Sequence, residues 1–213
     1  MQTNLYIIRH GESEANVRNA FLGWGDLPLT QLGHQQAQAT ARYLDAIPAD
    51  AIYASTLTRA CQTAEATASR RGMTIQKDAN LREIHAGLWE FETFDDLKQK
   101  FPESFGLWCE NIGLARCDGG ESVAQLQERF VTAVKNIAEK HAGQTVFIFT
   151  HATPLRTLAA HCLQKLPETM KEVPWANNAS VTRVIYENGK LTLVEYSRDD
   201  FMGSLTTSLP DNV

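Results

Sequence analysis

Residues 5–16 read LYIIRHGESEAN. Leu5-Tyr6-Ile7-Ile8 is a short apolar run that stops at the turn signal Gly11, the pattern of a strand buried on both faces. Arg9 and His10 sit at its exit. Charged and titratable groups at the mouth of a buried strand either cap a sheet or carry chemistry. A second stretch decides between these. Residues 145–151, TVFIFTH, repeat the pattern, a buried strand that delivers His151 at its carboxyl end. In open α/β sheets, ligands bind beyond the carboxyl ends of the strands, where the winding reverses. If the two strands are parallel neighbours, His10 and His151 face one crevice. One such histidine reads as a cap; two in matching contexts, one beside an arginine, read as a site.

The rest of the chain alternates strands and helices. Thr30 caps a helix predicted to run to about Ile47, and residues 51–55 (AIYAS) form a short buried strand. A helix is predicted over 57–71, with Gly72 as its stop, then a strand over 73–76. Thr93 caps a short helix that Pro102 halts. Residues 121–141 carry Val123, Leu126, Phe130, Val134 and Ile137 on one helical stripe. Another helix starts near Pro154, and two late strands flank Asn188-Gly189, a hairpin signal. Strands separated by helices imply parallel βαβ units. The fold class is α/β, a three-layer α/β/α sandwich whose mostly parallel sheet has an antiparallel edge strand. With no repeat or linker, residues 1–213 read as one domain.

Composition narrows the function. Hydrophobic residues make up 43% and charged residues 21% of the 213, an ordinary balance for a folded soluble chain. A net charge of -5 without a basic run argues against nucleic acid and anionic membranes as partners. It leaves room for a small anion in a locally positive pocket. Cys61, Cys109, Cys117 and Cys162 form no CxxC pair, so thiols in a reducing cytoplasm are expected rather than zinc or disulfides. No signal peptide or membrane span is expected.

The sequence lacks DxD, HExxH, a Walker glycine loop and GxSxG, so neither a metal site nor a serine nucleophile is expected. An imidazole can itself attack. Attack on phosphorus would give a phosphohistidine, with arginine forks gripping the phosphoryl oxygens and a carboxylic acid protonating the leaving alkoxide.

RHGES with Asn16, GWGDLPLTQLG, STLTRACQTA, LREIHAGLWE and FTHATPLRTL occur in that order along the chain. Together they resemble the histidine phosphatase superfamily, also called phosphoglycerate mutase-like. The resemblance implies that His10 is the phosphorylated nucleophile. It implies that Arg9, Arg59 and His151 form the phosphate pocket with Asn16, and that Glu83 is the proton donor and later the base. Leu22, Gly23 and Ala152 fall at substrate-contacting positions. Three departures stand out. His151-Ala152 replaces the usual His-Gly, Trp89-Glu90-Phe91 replaces Trp-Glu-Gly, and Leu22 stands where many relatives are polar.

The resemblance implies a cofactor-free, metal-independent phosphatase of small phosphorylated metabolites, with a homodimer as a further expectation. A phosphoglycerate mutase would share every catalytic residue. The segment over 83–120 is short and lacks the long basic insertion of cofactor-dependent mutases, which favours hydrolysis. A non-catalytic protein on this fold would have lost Arg9, His10 or Glu83. His85 is a weaker candidate to face the leaving group. His34, His141, His161, Trp24 and Trp108 read as packing or surface residues.

Overall fold

In a computed structural model, which describes residues 1–207, the opening run is strand β1 (Thr3–Arg9). Five more strands join it: β2 (Ala51–Ser55), β3 (Ile75–Asp78), β4 (Thr145–Thr150), β5 (Val181–Glu187) and β6 (Lys190–Arg198). They form one sheet in the order β3-β2-β4-β1-β5-β6. The first four are parallel. β5 runs antiparallel to β1, and β6 antiparallel to β5. The reversed strand is therefore one in from the edge, and the edge strand β6 again runs with β1. The hairpin turn uses left-handed backbone at both Asn188 and Gly189, the conformation those residues tolerate.

The described residues also form seven α-helices, α1 (Glu14–Val17), α2 (Gln31–Leu44), α3 (Thr58–Arg71), α4 (Phe94–Lys100), α5 (Pro102–Asn111), α6 (Val123–Lys140) and α7 (Ala152–Cys162), besides short 3-10 turns. Alternation along β1 assigns the layers. Leu5 and Ile7 pack with α6 and α7, while Ile8 packs with α2 and α3. All three are fully buried, each worth roughly 1.5–3 kcal/mol relative to exposure. The predicted stripe of α6 is buried throughout, so the three layers are as the sequence implied.

Local chemistry explains the boundaries. Thr30, Thr93 and Ser122 each accept a backbone N–H from the first turn of α2, α4 and α6. β3 starts two residues later than predicted. Gly72 closes α3 in left-handed backbone and the Met73 N–H returns to the Ala68 carbonyl, which uses 73–74 in the helix stop. Pro102 ends α4, as predicted, but it also opens α5 as a first-turn proline, which the reading of it as a stop missed. α4 and α5 build a separate aromatic cluster with Phe21, Trp89, Phe105 and Trp108.

Candidate active site

The register sets the floor of the site. Arg9 of β1 pairs with Thr150 of β4, so the next residues, His10 and His151, leave the sheet at one level. Their rings lie 5.2 Å apart. The His10 N–H donates to the Thr150 carbonyl, and its own carbonyl accepts from Ala179 and Asn178. Its Nδ1 lies 2.7 Å from the Gly11 carbonyl. A carbonyl only accepts, so Nδ1 carries the proton and the Nε2 lone pair is left for chemistry. Burial, then the charges of Arg59 and Arg9, hold the ring's pKa well below the usual value, so it is neutral.

The loop after β1 is pressed against the first turn of α2. A Cβ on Gly11 would stand 2.5 Å from the Gly33 carbonyl oxygen, and one on Gly33 only 2.0 Å from that of Glu12. Both approaches are backbone to backbone, so neither neighbour can swing aside.

Two buried guanidinium groups bring the positive charge. Arg59, in the first turn of α3, donates from Nη1 to the Gly25 carbonyl and from Nη2 to that of Gly23, each at 2.9 Å. Arg9 donates from Nη1 to the Ala176 carbonyl at 2.6 Å, and its buried Nε has no hydrogen-bond partner among the described residues. Desolvation lowers both to about 10, which leaves them cationic at neutral pH. A carbonyl orients a guanidinium without neutralising it, so both charges remain available to an anion.

His151 is fully buried behind His10. Its Nε2 lies 2.8 Å from Ser55 Oγ, which also accepts the Leu57 N–H. The other ring nitrogen, Nδ1, has no partner of its own among the described residues. Asn16 accepts from the Ser13 backbone and hydroxyl through Oδ1, which leaves its amide N–H groups as donors. Glu83 is half-buried. Its Oε1 accepts the Ile84 N–H at 2.8 Å and its Oε2 the Thr153 N–H at 3.2 Å.

A cavity of about 180 Å³ joins these groups. Arg9, His10, Asn16, Leu22, Gly23, Arg59, Glu83 and Ala152 all line it. Of the residues singled out from sequence, His151 stands behind this lining rather than in it. Ala152 opens α7, where a backbone N–H has no helical acceptor, so the change from Gly keeps that donor. Phe91 keeps left-handed backbone, with φ 68°. The loop therefore holds the glycine-type conformation at this departure, with a phenylalanine bearing the strain. The His85 ring lies 4.6 Å from that of Trp24, tilted by 47°, and His85 is not among the lining residues. Trp24 donates from Nε1 to the Glu83 carbonyl and so steadies the backbone of that residue.

Sequence reasoning missed the roof. Phe21, Phe94, Trp108 and Trp175 line the cavity with Leu22, and Thr153, Asn178 and Thr207 add polar groups. Trp108, read as packing, does both: its ring meets Phe21 at 5.0 Å and Trp175 at 6.3 Å. The stretch Asn177-Asn178-Ala179-Ser180 was the available signal for Asn178.

The sequence profile of the histidine phosphatase superfamily (branch 1) matches residues 5–199. The chain is similar to Phosphoserine phosphatase 1 of Hydrogenobacter thermophilus, 31% identical over 154 residues that cover 72% of this chain and 73% of that protein. It is similar to Adenosylcobalamin/alpha-ribazole phosphatase of Escherichia coli, 30% identical over 166 residues, 78% of this chain and 82% of the other. Relatives named as probable phosphoglycerate mutases match at 28–30%. Among solved structures, Bacillus stearothermophilus YhfR superposes with a TM-score of 0.90 at 35% identity, covering 94% of this chain and 99% of that one.

Proposed function

Because the chain belongs to the histidine phosphatase superfamily, we propose that it hydrolyses small phosphomonoesters in two steps through a phosphohistidine on His10. In the first step the neutral Nε2 attacks phosphorus, the bond to the ester oxygen breaks, and Glu83 in its acid form gives that oxygen a proton. In the second, a water attacks the phosphohistidine and passes a proton to the Glu83 carboxylate. The N–P bond breaks and inorganic phosphate leaves. Arg9 and Arg59 balance the charge on the transferred phosphoryl group, with donors from Asn16, His151 and the Ala152 backbone. One observation carries this reading. A lone pair at His10 Nε2 opens onto a cavity whose two buried guanidinium groups are held only by carbonyls. Rapid quench with a ³²P-labelled monoester is expected to trap an acid-labile, base-stable phosphoenzyme that His10→Ala lacks; a wild-type rate in that variant would overturn it.

Hydrolysis is preferred to transfer between phosphoglycerates because, among the described residues, Arg9, His10 and Arg59 are the only basic ones in the cavity lining. All three are taken up by the phosphoryl group, and nothing basic remains for a carboxylate on the alcohol. The wall that would meet the alcohol is Phe21, Leu22, Phe94, Trp108 and Trp175, which fits an uncharged, apolar one. Benzyl phosphate is thus expected to be cleaved with higher kcat/KM than O-phosphoserine or 3-phosphoglycerate. All three are alkyl esters, so the comparison reads the pocket more than the leaving group.

The reaction is proposed to need no metal. Among the described residues no three His, Cys, Asp or Glu gather closely enough to hold one, and the arginines supply the charge. Dialysis against a chelator should leave the rate unchanged. No helix of the described residues is long and apolar enough to cross a membrane. A cytoplasmic setting is proposed from the cysteines: burial pushes the Cys162 thiol up to about 11 and Cys117 higher still, so both are kept as unreactive thiols.

A further inference from the structure

Arg129 lies on α6, outside the cavity lining, yet three of its five donors converge on the segment that carries Glu83 and the other two hold Glu121. Its Nε and one Nη2 proton bond Oε1 and Oε2 of Glu121 at 2.9 and 2.8 Å. Nη1 reaches the carbonyls of Asn80 at 2.8 Å and Arg82 at 3.2 Å. The second Nη2 proton reaches the Glu83 carbonyl at 3.1 Å. A guanidinium has five N–H donors, and these five bonds use every one.

Glu121 completes the clamp. Its Oε2 also accepts the His85 N–H at 2.8 Å, and its own N–H donates to the His85 carbonyl at 2.8 Å. Backbone groups of residues 80, 82, 83 and 85 are thus fixed by two side chains that never touch the cavity. Bonds to Arg129 and His85 outweigh burial and hold Glu121 below its ordinary pKa, so the clamp stays charged at the pH of turnover.

We propose that Arg129, oriented by Glu121, is a positioning residue for the proton donor, setting where the Glu83 carboxyl stands relative to the ester oxygen. This rests on Glu83 acting as the acid. General acid catalysis contributes roughly 10²–10⁴-fold and demands placement within hydrogen-bond reach, so a slack backbone at Glu83 forfeits part of that factor while phosphate binding persists. Lysine offers a single point of charge with three donors and cannot span three carbonyls and a carboxylate.

The test compares the rate of phosphoenzyme formation from benzyl phosphate, a poor leaving group, with the burst from p-nitrophenyl phosphate, whose phenolate needs little protonation. Arg129→Met is expected to slow the first roughly 30-fold and the second less than about 3-fold, with Arg129→Lys failing to restore it. Glu121→Gln, which keeps the shape and loses the charge, is expected to show the same asymmetry more weakly, and it serves if Arg129→Met does not fold. Equal slowing of both substrates in folded variants, or no slowing of either, overturns the proposal. Glu83→Gln is run alongside. If it shows no asymmetry, the assignment of Glu83 has failed; if it does and the Arg129 and Glu121 variants do not, only the clamp has.

Discussion

The floor and the roof of the cavity are built by different means. The floor is backbone. His10 is tied through its N–H, its carbonyl and its ring to Thr150, Ala179, Asn178 and Gly11, at the ends of two strands whose last three residues are buried. The roof is side chain. Phe21, Phe94, Trp108 and Trp175 come from four separate segments; the rings of Phe21 and Trp175 both meet Trp108, and Phe94 stacks on Phe105. Hydrogen bonds are directional, whereas the hydrophobic contribution of apolar contacts is not. On the proposed function, the chemistry belongs to the floor and the choice of alcohol to the roof.

Substitutions in each region sharpen or break that division. His10→Ala should lower kcat by at least about 10⁴-fold for every ester, since among the described residues no other imidazole lines the cavity; a loss confined to some substrates would blur the boundary. Arg59→Met, which keeps the buried stem, should cost about 10²–10³ in kcat through the charge left uncompensated, again for all esters alike. In the roof, Phe94→Ala should raise KM for benzyl phosphate about 10-fold and leave methyl phosphate almost unaffected, as measured by initial rates. If Phe94→Ala lowered kcat for both, the roof would be part of the catalytic apparatus.

Acid reads the floor in a second way. His10 and His151 are held neutral in the folded protein, well below their ordinary pKa, first by burial and then by Arg59. The unfolded chain takes up protons near pH 6.5 and the folded chain does not, so stability falls as pH drops below about 6.5. Urea midpoints between pH 7.5 and 5 should show this, at about 1.4 kcal/mol per pH unit for each fully protonating histidine. His151→Gln should make the slope shallower. The same shift keeps Nε2 of His10 unprotonated below pH 6.5, so the acidic limb of kcat/KM should lie at lower pH than a free imidazole would give. The smallest expected effect is at Phe91, exposed and in left-handed backbone. Phe91→Gly should stabilise by about 1 kcal/mol with the rate unchanged, read from a thermal melt.

The same division explains what could be read from the sequence. β1 and β4 are continuous apolar runs that end in histidine, and a parallel strand has few other ways to be written. The caps at Thr30 and Thr93 and the stop at Gly72 follow from local hydrogen-bond chemistry. The order of motifs supplied Arg59 and Glu83. The roof has no such signature. α5 was hidden because Pro102 is both a stop and a start, and the aromatic contacts depend on how distant segments fold over one another. Arg129 was silent for a related reason: its partners are mostly carbonyl oxygens, which every residue has.

The two glycines where the loop after β1 meets α2 set a limit of another kind. Neither the Gly11 nor the Gly33 position has room for even one methyl group, and the atoms in the way are main chain. The proposed nucleophile, His10, is therefore a fixed reference, locked to the sheet on one side and to a helix on the other. Whatever gives way as substrate enters and product leaves must give way above it. For a lineage that drifts toward new esters the consequence is asymmetric: the roof can be rewritten one ring at a time, while a single carbon atom added beneath His10 would move the reaction centre itself.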